Sequence, residues 1–293
     1  MKFPSKYSIK DLEKLSGIKA HTIRIWEKRF GVIEPSRTET NIRYYSNDDL
    51  RRLLNISLLN KHGIKISEIA EMSETEIHEK VSSINLVKTE NEDLIENLIL
   101  GMIDMNEKLF DKIFSACILR MGFENTVLNV VFPFLNRIGV MWTTGSINPA
   151  QEHFVSNIIR QKIIVATESL GHTEESTSQT AVLFLPDNEL HEISLLFYNY
   201  ALRARKYKTI YLGQAVPTSS LSRIIKITKP DILVTLVYSL ASDVKFRDFF
   251  ALLNSISEKK KILISGQAAF ENKIHLPANA HFFNNLQELL KLL

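Results

Sequence analysis

An apolar run followed by a charged loop decides the fold of the C-terminal part of the chain: AVLFLPDNELHEIS, residues 181–194. Three further short apolar runs follow, at residues 209–212, 232–236 and 262–265. Helical stretches separate the runs, at residues 192–204, 219–228 and 244–257. This alternation predicts a doubly wound parallel sheet. Ligands of such sheets bind at the carboxyl ends of the strands, so the loop with His191 is predicted to lie at a ligand site.

The middle of the chain has a different periodicity. Between about residues 76 and 171, apolar residues recur at helical spacing, as at Leu94, Leu98 and Ile99, which predicts a bundle of about four helices. A loop marked by Gly145 and Pro149 interrupts the pattern. A stretch rich in Ser, Thr and Glu, residues 173–179, then predicts a linker to the sheet.

The head of the chain carries helix signals at close intervals. Ser8 is a predicted N-cap with Asp11 in capping-box spacing, and Gly17 closes the first helix. A second helix is predicted over residues 19–28, which gives a helix-turn-helix. A hairpin near Pro35 and helices over 47–62 and 66–72 complete a winged arrangement.

Composition narrows the classes of protein. Cys117 is the single cysteine among 293 residues, which excludes a disulfide framework and Cys-rich zinc sites. The sequence has no run of 18 apolar residues and no apolar signal core at its start, so we expect a cytoplasmic protein without a membrane span.

Positive charge is concentrated in the head. Residues 1–75 hold 14 Lys and Arg against 10 Asp and Glu, whereas the remainder holds 22 against 23. Such a surface attracts phosphate backbones, although an ordinary mildly basic domain has the same balance.

The head resembles the MerR family of regulators. The resemblance covers about 65 residues and rests on TIRIWEKRFG, residues 22–31, and on the wing triplet RYY, residues 43–45. It implies binding of double-stranded promoter DNA, with Thr22 and Arg24 facing the major groove. From the wing, Arg37, Arg43 and Tyr44 would contact the DNA backbone. For the arginines the alternative is a solvated surface charge, and Trp26 is predicted to belong to the core.

Nine residues separate Trp142 from Glu152-His153. This Trp-x9-Glu-His pattern resembles the helical cap of the light-sensing, cobalamin-dependent MerR-type repressors of carotenoid genes. The resemblance implies that Trp142 packs beside the upper ligand of adenosylcobalamin, with Glu152 and His153 in the same cofactor site. His153 would bind cobalt once photolysis removes that ligand. Without the resemblance, a lone histidine near a helix start is more often structural.

The loop after the first apolar run resembles the Asp-x-His-x-x-Gly motif of cobalamin-binding domains, here written Glu189-Leu190-His191-Glu192-Ile193-Ser194. His191 would be the lower cobalt ligand, and Glu189 would hydrogen-bond its other ring nitrogen. Two further family positions map to Thr235 and to the pair Ser265-Gly266. Ser194 and Ser265 stand where the family has glycine, and their side chains narrow the path of the nucleotide tail.

Together the resemblances imply three domains: a winged helix-turn-helix head (1–75), a four-helix-bundle cap (76–172) and a Rossmann-like cobalamin-binding domain (178–293). They imply a photoreceptor repressor whose homo-oligomer, a tetramer or a dimer, and whose DNA binding are controlled by adenosylcobalamin and light.

Two other classes compete with this interpretation. One is a MerR-like regulator with a cofactor-free sensor domain that responds to a protein partner or another ligand. The other is an enzyme, since cap and cobalamin domain also resemble the cofactor modules of methyltransferases and mutases. The winged head leaves no room for a substrate domain, and the sequence has no Ser-His-Asp, Walker or Gly-rich dinucleotide motif.

Overall fold

Local capping signals fix the ends of the first helices. The computed structural model describes residues 7–38, 40–82, 90–143, 147–171, 179–238, 243–256, 260–271 and 277–293. Helix α1 (Ile9–Ser16) begins after Ser8, whose side chain forms the predicted capping box with Asp11, and ends at Gly17 with φ 70°. Helix α3 (Asn47–Lys61) begins with a second capping box, made by Ser46 and Asp49.

Two compact units divide the chain, residues 1–158 and 159–293. In the first unit, α2 (Ala20–Phe30) follows α1, and a two-stranded antiparallel wing of β1 (Ser36–Arg37) and β2 (Arg43–Tyr44) precedes α3. The remaining helices of this unit are α4 (Ile66–Glu71), α5 (Glu74–Ser82), α6 (Asn91–Ile103), α7 (Glu107–Met121), α8 (Phe123–Thr126), α9 (Phe132–Thr143) and the first half of α10 (Pro149–Glu168), whose residues from 159 onward belong to the second unit. The winged helix-turn-helix and the helical region after it are therefore both present.

Charged contacts join the end of α3 to the start of α6. The Lys61 ammonium lies 2.7 Å from Glu96 and 3.2 Å from Asp93. Glu96 is fully buried, and burial raises its pKa while Lys61 opposes that shift. Since an unpaired buried carboxylate is costly, the Lys61 ammonium stabilises the charged form of Glu96 at this contact.

A π-helical turn, Val127–Val131, lies between α8 and α9. No sequence pattern predicted it, because the apolar residues around Asn129 have a spacing that does not separate a π turn from an α turn. Such turns occur often at functional sites.

The second unit is built on a five-stranded parallel sheet in the order β4-β3-β5-β6-β7. The strands are β3 (Thr180–Phe184), β4 (Lys208–Gly213), β5 (Ile232–Leu236), β6 (Lys261–Ser265) and β7 (Ala280–Phe282). The helices between and after them are α11 (Ile193–Ala204), α12 (Thr218–Thr228), α13 (Asp243–Ile256), α14 (Gln267–Glu271) and α15 (Leu286–Leu292). Val182 and Phe184 pack with residues of α12 and α13 on one face, whereas α11 packs on β3 and β4. The predicted doubly wound fold is confirmed.

Some elements of the structure were not predicted from the sequence, and some predictions are not tested by the structure. Strand β7 and helices α14 and α15 were not predicted. Trp26, predicted to be core, is half-buried. Gly145 and residues 173–178 of the predicted linker lie outside the described residues, and the three domain boundaries stay predictions. Within the described part of the chain, no helix is both long and apolar enough to span a membrane.

Candidate functional site

The loop between β3 and α11 is built around the carboxylate of Glu189. This residue is fully buried, and one of its oxygens accepts the His191 backbone N–H at 3.2 Å. The same oxygen lies 2.5 Å from His191 Nδ1. The His191 side chain is 67% exposed, so the imidazole is oriented by a buried group while most of its surface faces outward.

Tyr238 contributes the second support of this loop. It lies just beyond β5, and its backbone N–H donates to the other Glu189 oxygen at 2.8 Å. Its ring meets the His191 imidazole edge to face, with centroids 5.9 Å apart. Its hydroxyl shares a hydrogen bond with the Ser194 side chain. Burial, and then the Glu189 charge, raise the pKa of Tyr238, whereas the Ser194 bond lowers it.

Strand order explains why these residues meet. The chain passes from β3 to β4 on one side and then returns to β5 on the other side of β3. Phe184 pairs with Thr235 in parallel register, so the segments that follow β3 and β5 leave the sheet side by side. This is the topological switch point, where doubly wound sheets open a crevice for ligands.

An ion pair fixes the residue after His191. Glu192 is nearly buried and accepts from Arg160 of α10 at 2.7 Å and from the Tyr211 hydroxyl at 3.1 Å. Burial, and then the charge of Glu192, raise the pKa of Tyr211. The start of α11 is therefore tied to β4 and to α10.

Three more predicted site residues lie at the ends of β5 and β6. Thr235 is fully buried, and among the described residues no group lies within hydrogen-bonding distance of its hydroxyl. Ser265 is 5% exposed, and its carbonyl accepts from the Val237 N–H at 2.8 Å. Gly266 has φ 107°, and a Cβ there would lie 2.3 Å from the Val237 carbonyl oxygen. Buried polar groups normally have a partner, so the Thr235 hydroxyl marks a place for one.

The three predicted residues of the first unit lie at the end of α9 and the start of α10. Trp142 is 57% exposed. His153 Nδ1 lies 3.4 Å from the Glu152 carboxylate, and the His153 side chain is 74% exposed. Trp142 and His153 each expose a side chain that could meet a ligand, but the roles of these three residues stay predictions.

The candidate DNA surface combines α2 with the wing. Arg24 and Arg37 are exposed, Thr22 and Tyr44 are half-buried, and Arg37 donates to the Asn41 side chain at 2.7 Å. Arg43 lies 3.4 Å from Glu27. The five predicted DNA contacts therefore stay predictions on a surface whose shape suits them.

Glu27 joins helix α2 to the wing, and no sequence pattern predicted this contact. Besides Arg43, it accepts from the hydroxyl of Tyr45, whose pKa is raised to about 12 by burial and then by the Glu27 charge. Tyr238 and Arg160 were also missed, because each is remote in sequence from the loop it supports.

Two protein-family models match the chain. Residues 7–76 match the MerR HTH family regulatory protein, and residues 94–166 match the B12 binding domain. The first range contains the winged head, and the second contains α7 to α9 with most of α6 and α10. The matches define the class: a transcriptional regulator that joins a MerR-type helix-turn-helix to a B12-binding region.

Within this class the chain is homologous to two repressors of Myxococcus xanthus. It is 26% identical to the HTH-type transcriptional repressor CarH over 272 residues, which are 90% of this chain and 89% of the relative. It is 24% identical to the HTH-type transcriptional repressor CarA, over 77% of this chain and 74% of the relative.

A solved structure shares the fold of the larger part of the chain. The monomethylamine corrinoid protein of Methanosarcina barkeri aligns over 69% of this chain and 98% of its own, with a TM-score of 0.56 and 17% sequence identity. This likeness shows the fold alone.

Gly266→Ala should destabilise the second unit. The new Cβ would strike the Val237 carbonyl oxygen, and a positive φ costs a side-chain-bearing residue about 1–3 kcal/mol even in open space. We expect a lower denaturation midpoint in urea, followed by circular dichroism.

Gly139→Ala is the control, because Gly139 lies within α9 and a Cβ there meets nothing within 4 Å. That variant should be as stable as the parent chain or more so, by about 0.5–1 kcal/mol. Equal midpoints for the two variants would contradict a backbone contact at Gly266.

Proposed function

We propose that this protein is a DNA-binding repressor whose assembly and DNA binding are controlled by adenosylcobalamin and light. The observation that carries the proposal is the Glu189–His191 pair at the switch point of the sheet. It adds a specific ligand position to a chain that matches a B12 binding domain.

The second unit has a residue suited to bind the cobalt of a corrinoid from the lower side of the corrin. Glu189 engages His191 Nδ1, so Nε2 is the ring nitrogen that would take a metal. A carboxylate behind an imidazole fixes its tautomer and makes it a better ligand. An exposed, oriented histidine such as His191 could supply one such nitrogen to the cobalt of a corrinoid.

The ends of β5 and β6 suit the remainder of such a ligand. The unpartnered Thr235 hydroxyl can donate to or accept from a polar atom. Gly266 brings its backbone against Val237 without an intervening side chain. Ser194 is engaged by Tyr238, which keeps its side chain in a defined position. Serine at positions 194 and 265 therefore narrows the crevice but leaves a polar lining.

The proposed response to light depends on residues of the first unit. The adenosyl form of the cofactor would supply a cobalt–carbon bond that light breaks. We propose that Trp142 covers the upper ligand and that His153, with Glu152 beside it, takes the vacated position. Both Trp142 and His153 expose more than half of their surface, so each can meet a ligand.

The head supplies DNA recognition. Exposed arginines on α2 and in the wing match the charge of promoter DNA, and Glu27 holds helix and wing together. We propose that Thr22 and Arg24 read the major groove, while Arg37, Arg43 and Tyr44 hold the backbone.

A head that binds DNA, joined to a region that binds a cofactor, suits a regulator rather than an enzyme. Both Myxococcus relatives are repressors, and both align over head and sensor together. We propose a cytoplasmic homo-oligomer, tetrameric in the dark, that acts without enzymatic activity.

His191→Ala should lose the corrinoid. Protein mixed with adenosylcobalamin in the dark is passed through a desalting column, and the retained absorbance is measured. The parent chain should retain cofactor, and His191→Ala should not, because cobalt loses its lower nitrogen. Glu189→Gln should weaken retention about 10- to 100-fold, the usual cost of losing an outer-shell partner.

His281→Ala serves as the matched control, since His281 is an exposed histidine on β7 of the same unit. A parent chain that retains no corrinoid would exclude the cobalamin sensor and leave the cofactor-free regulator. Retention by His191→Ala with an unchanged spectrum would show that the proposed ligand is wrong.

Arg24→Ala and Arg37→Ala should affect DNA binding differently. A groove-reading arginine contributes about 1–3 kcal/mol of discrimination, so Arg24→Ala should weaken binding to selected DNA more than to unrelated DNA. Arg37→Ala should weaken both and reduce the slope of log K against log salt by about one. Fluorescence anisotropy across a salt series measures both effects.

Arg223→Ala, an exposed arginine on α12, is the control and should leave both affinities unchanged. If the full chain binds neither DNA at low salt, the head is not a DNA-binding domain.

Light should reduce the size of the assembly. Size-exclusion chromatography of the adenosylcobalamin complex is run in the dark and again after green light. We expect a smaller species after illumination, because packed interfaces switch between discrete arrangements when a ligand position changes. His153→Ala should lose or slow this change, whereas His281→Ala should not. An identical elution volume after complete photolysis would rule out light-controlled assembly.

A further inference from the structure

We propose that Tyr238 is the positioning residue of the lower ligand: it holds His191 in the orientation in which the imidazole can bind cobalt. The inference rests on the proposed function and extends it to a residue outside the Glu-x-His motif. It is carried by three contacts that converge on one side chain and its backbone.

The first contact fixes the carboxylate. Glu189 needs both oxygens engaged, since a buried ionised carboxylate is costly unless it is hydrogen-bonded. His191 uses one oxygen, and the Tyr238 N–H donates to the other at 2.8 Å. The Glu189 side chain is thereby held between two strands rather than by its own loop alone.

The second contact fixes the imidazole plane. A hydrogen bond at Nδ1 sets the position of one ring atom but leaves the ring free to swing about that point. The Tyr238 ring meets the His191 ring edge to face at 5.9 Å with an interplanar angle of 67°, which opposes such swinging. Metal sites need their ligands held within a narrow range of angles.

The third contact fixes Tyr238 itself. A hydrogen bond with the Ser194 side chain, at the start of α11, lowers the pKa of Tyr238, and this bond would restrain the phenol from turning away from the loop. Ser194 thus has a role that glycine could not fill, because glycine offers no side-chain hydroxyl. Loss of the hydroxyl of either Tyr238 or Ser194 should therefore make the Tyr238 ring more mobile.

The test uses cobinamide, a corrinoid without a nucleotide base, and every chain in it carries His153→Ala, so that an imidazole on cobalt comes from neither the cofactor nor His153. The absorbance spectrum then reports the fraction of bound cobalt that carries an imidazole. The variants are Tyr238→Phe, Ser194→Ala, the double variant and Tyr238→Ala. Tyr207→Phe is the control, a half-buried phenol of the same unit just before β4.

Tyr238→Ala should reduce the ratio of imidazole-bound to imidazole-free cobalt about 10-fold, as removal of outer-shell supports does. Tyr238→Phe and Ser194→Ala each lose one hydrogen bond and should reduce it by about 5-fold. The double variant should fall no further than either single variant, because both remove the same bond. Tyr207→Phe should leave the ratio unchanged.

Thermal denaturation of each variant shows whether the fold is kept, and Tyr238→Phe retains the ring if Tyr238→Ala does not fold. Imidazole ligation at the parental level in folded Tyr238→Phe and Ser194→Ala would overturn the inference and leave the proposed function standing. Absence of imidazole ligation in the parent chain itself would overturn both.

Discussion

The sensor depends on one buried carboxylate, that of Glu189. A charge with no exposed surface is tolerated only where donors surround it, and here the donors come from separate strands. His191 follows β3 and Tyr238 follows β5, and the parallel register of these strands brings the two segments together. The Ala215 N–H, after β4, donates to the Glu189 carbonyl at 3.1 Å. The ends of β3, β4 and β5 thus meet at one residue, so these three strands must be paired for the histidine to be held in place.

Sequence patterns predicted the features whose causes are local. The capping boxes at Ser8 and Ser46 gave the starts of two helices, and four of the five strands follow from apolar runs. Strand β7 escaped because Ala280-His281-Phe282 is short and interrupted by a histidine. The Glu189–His191 hydrogen bond was predictable because its partners are two residues apart. Tyr238 was not, since only strand pairing brings it within reach from 49 positions away.

The positions that depart from the family pattern are explained by their surroundings. Ser194 carries the hydroxyl that Tyr238 uses, and Ser265 contributes its carbonyl to a bond with Val237. Gly266, which keeps the family residue, is the position where a side chain would collide with backbone. The chain therefore retains glycine where sterics demand it and uses serine where a small polar group can be accommodated.

The contact of Lys61 with Glu96 has a consequence for how such proteins can be recombined. Lys61 lies in the segment that matches the MerR model, and Glu96 lies in the segment that matches the B12 binding domain. A chimaera that grafts another reading head onto this sensor must bring a cation to the end of α3, or it will strand a carboxylate in an apolar interior. The head and the helical region after it are therefore not freely interchangeable.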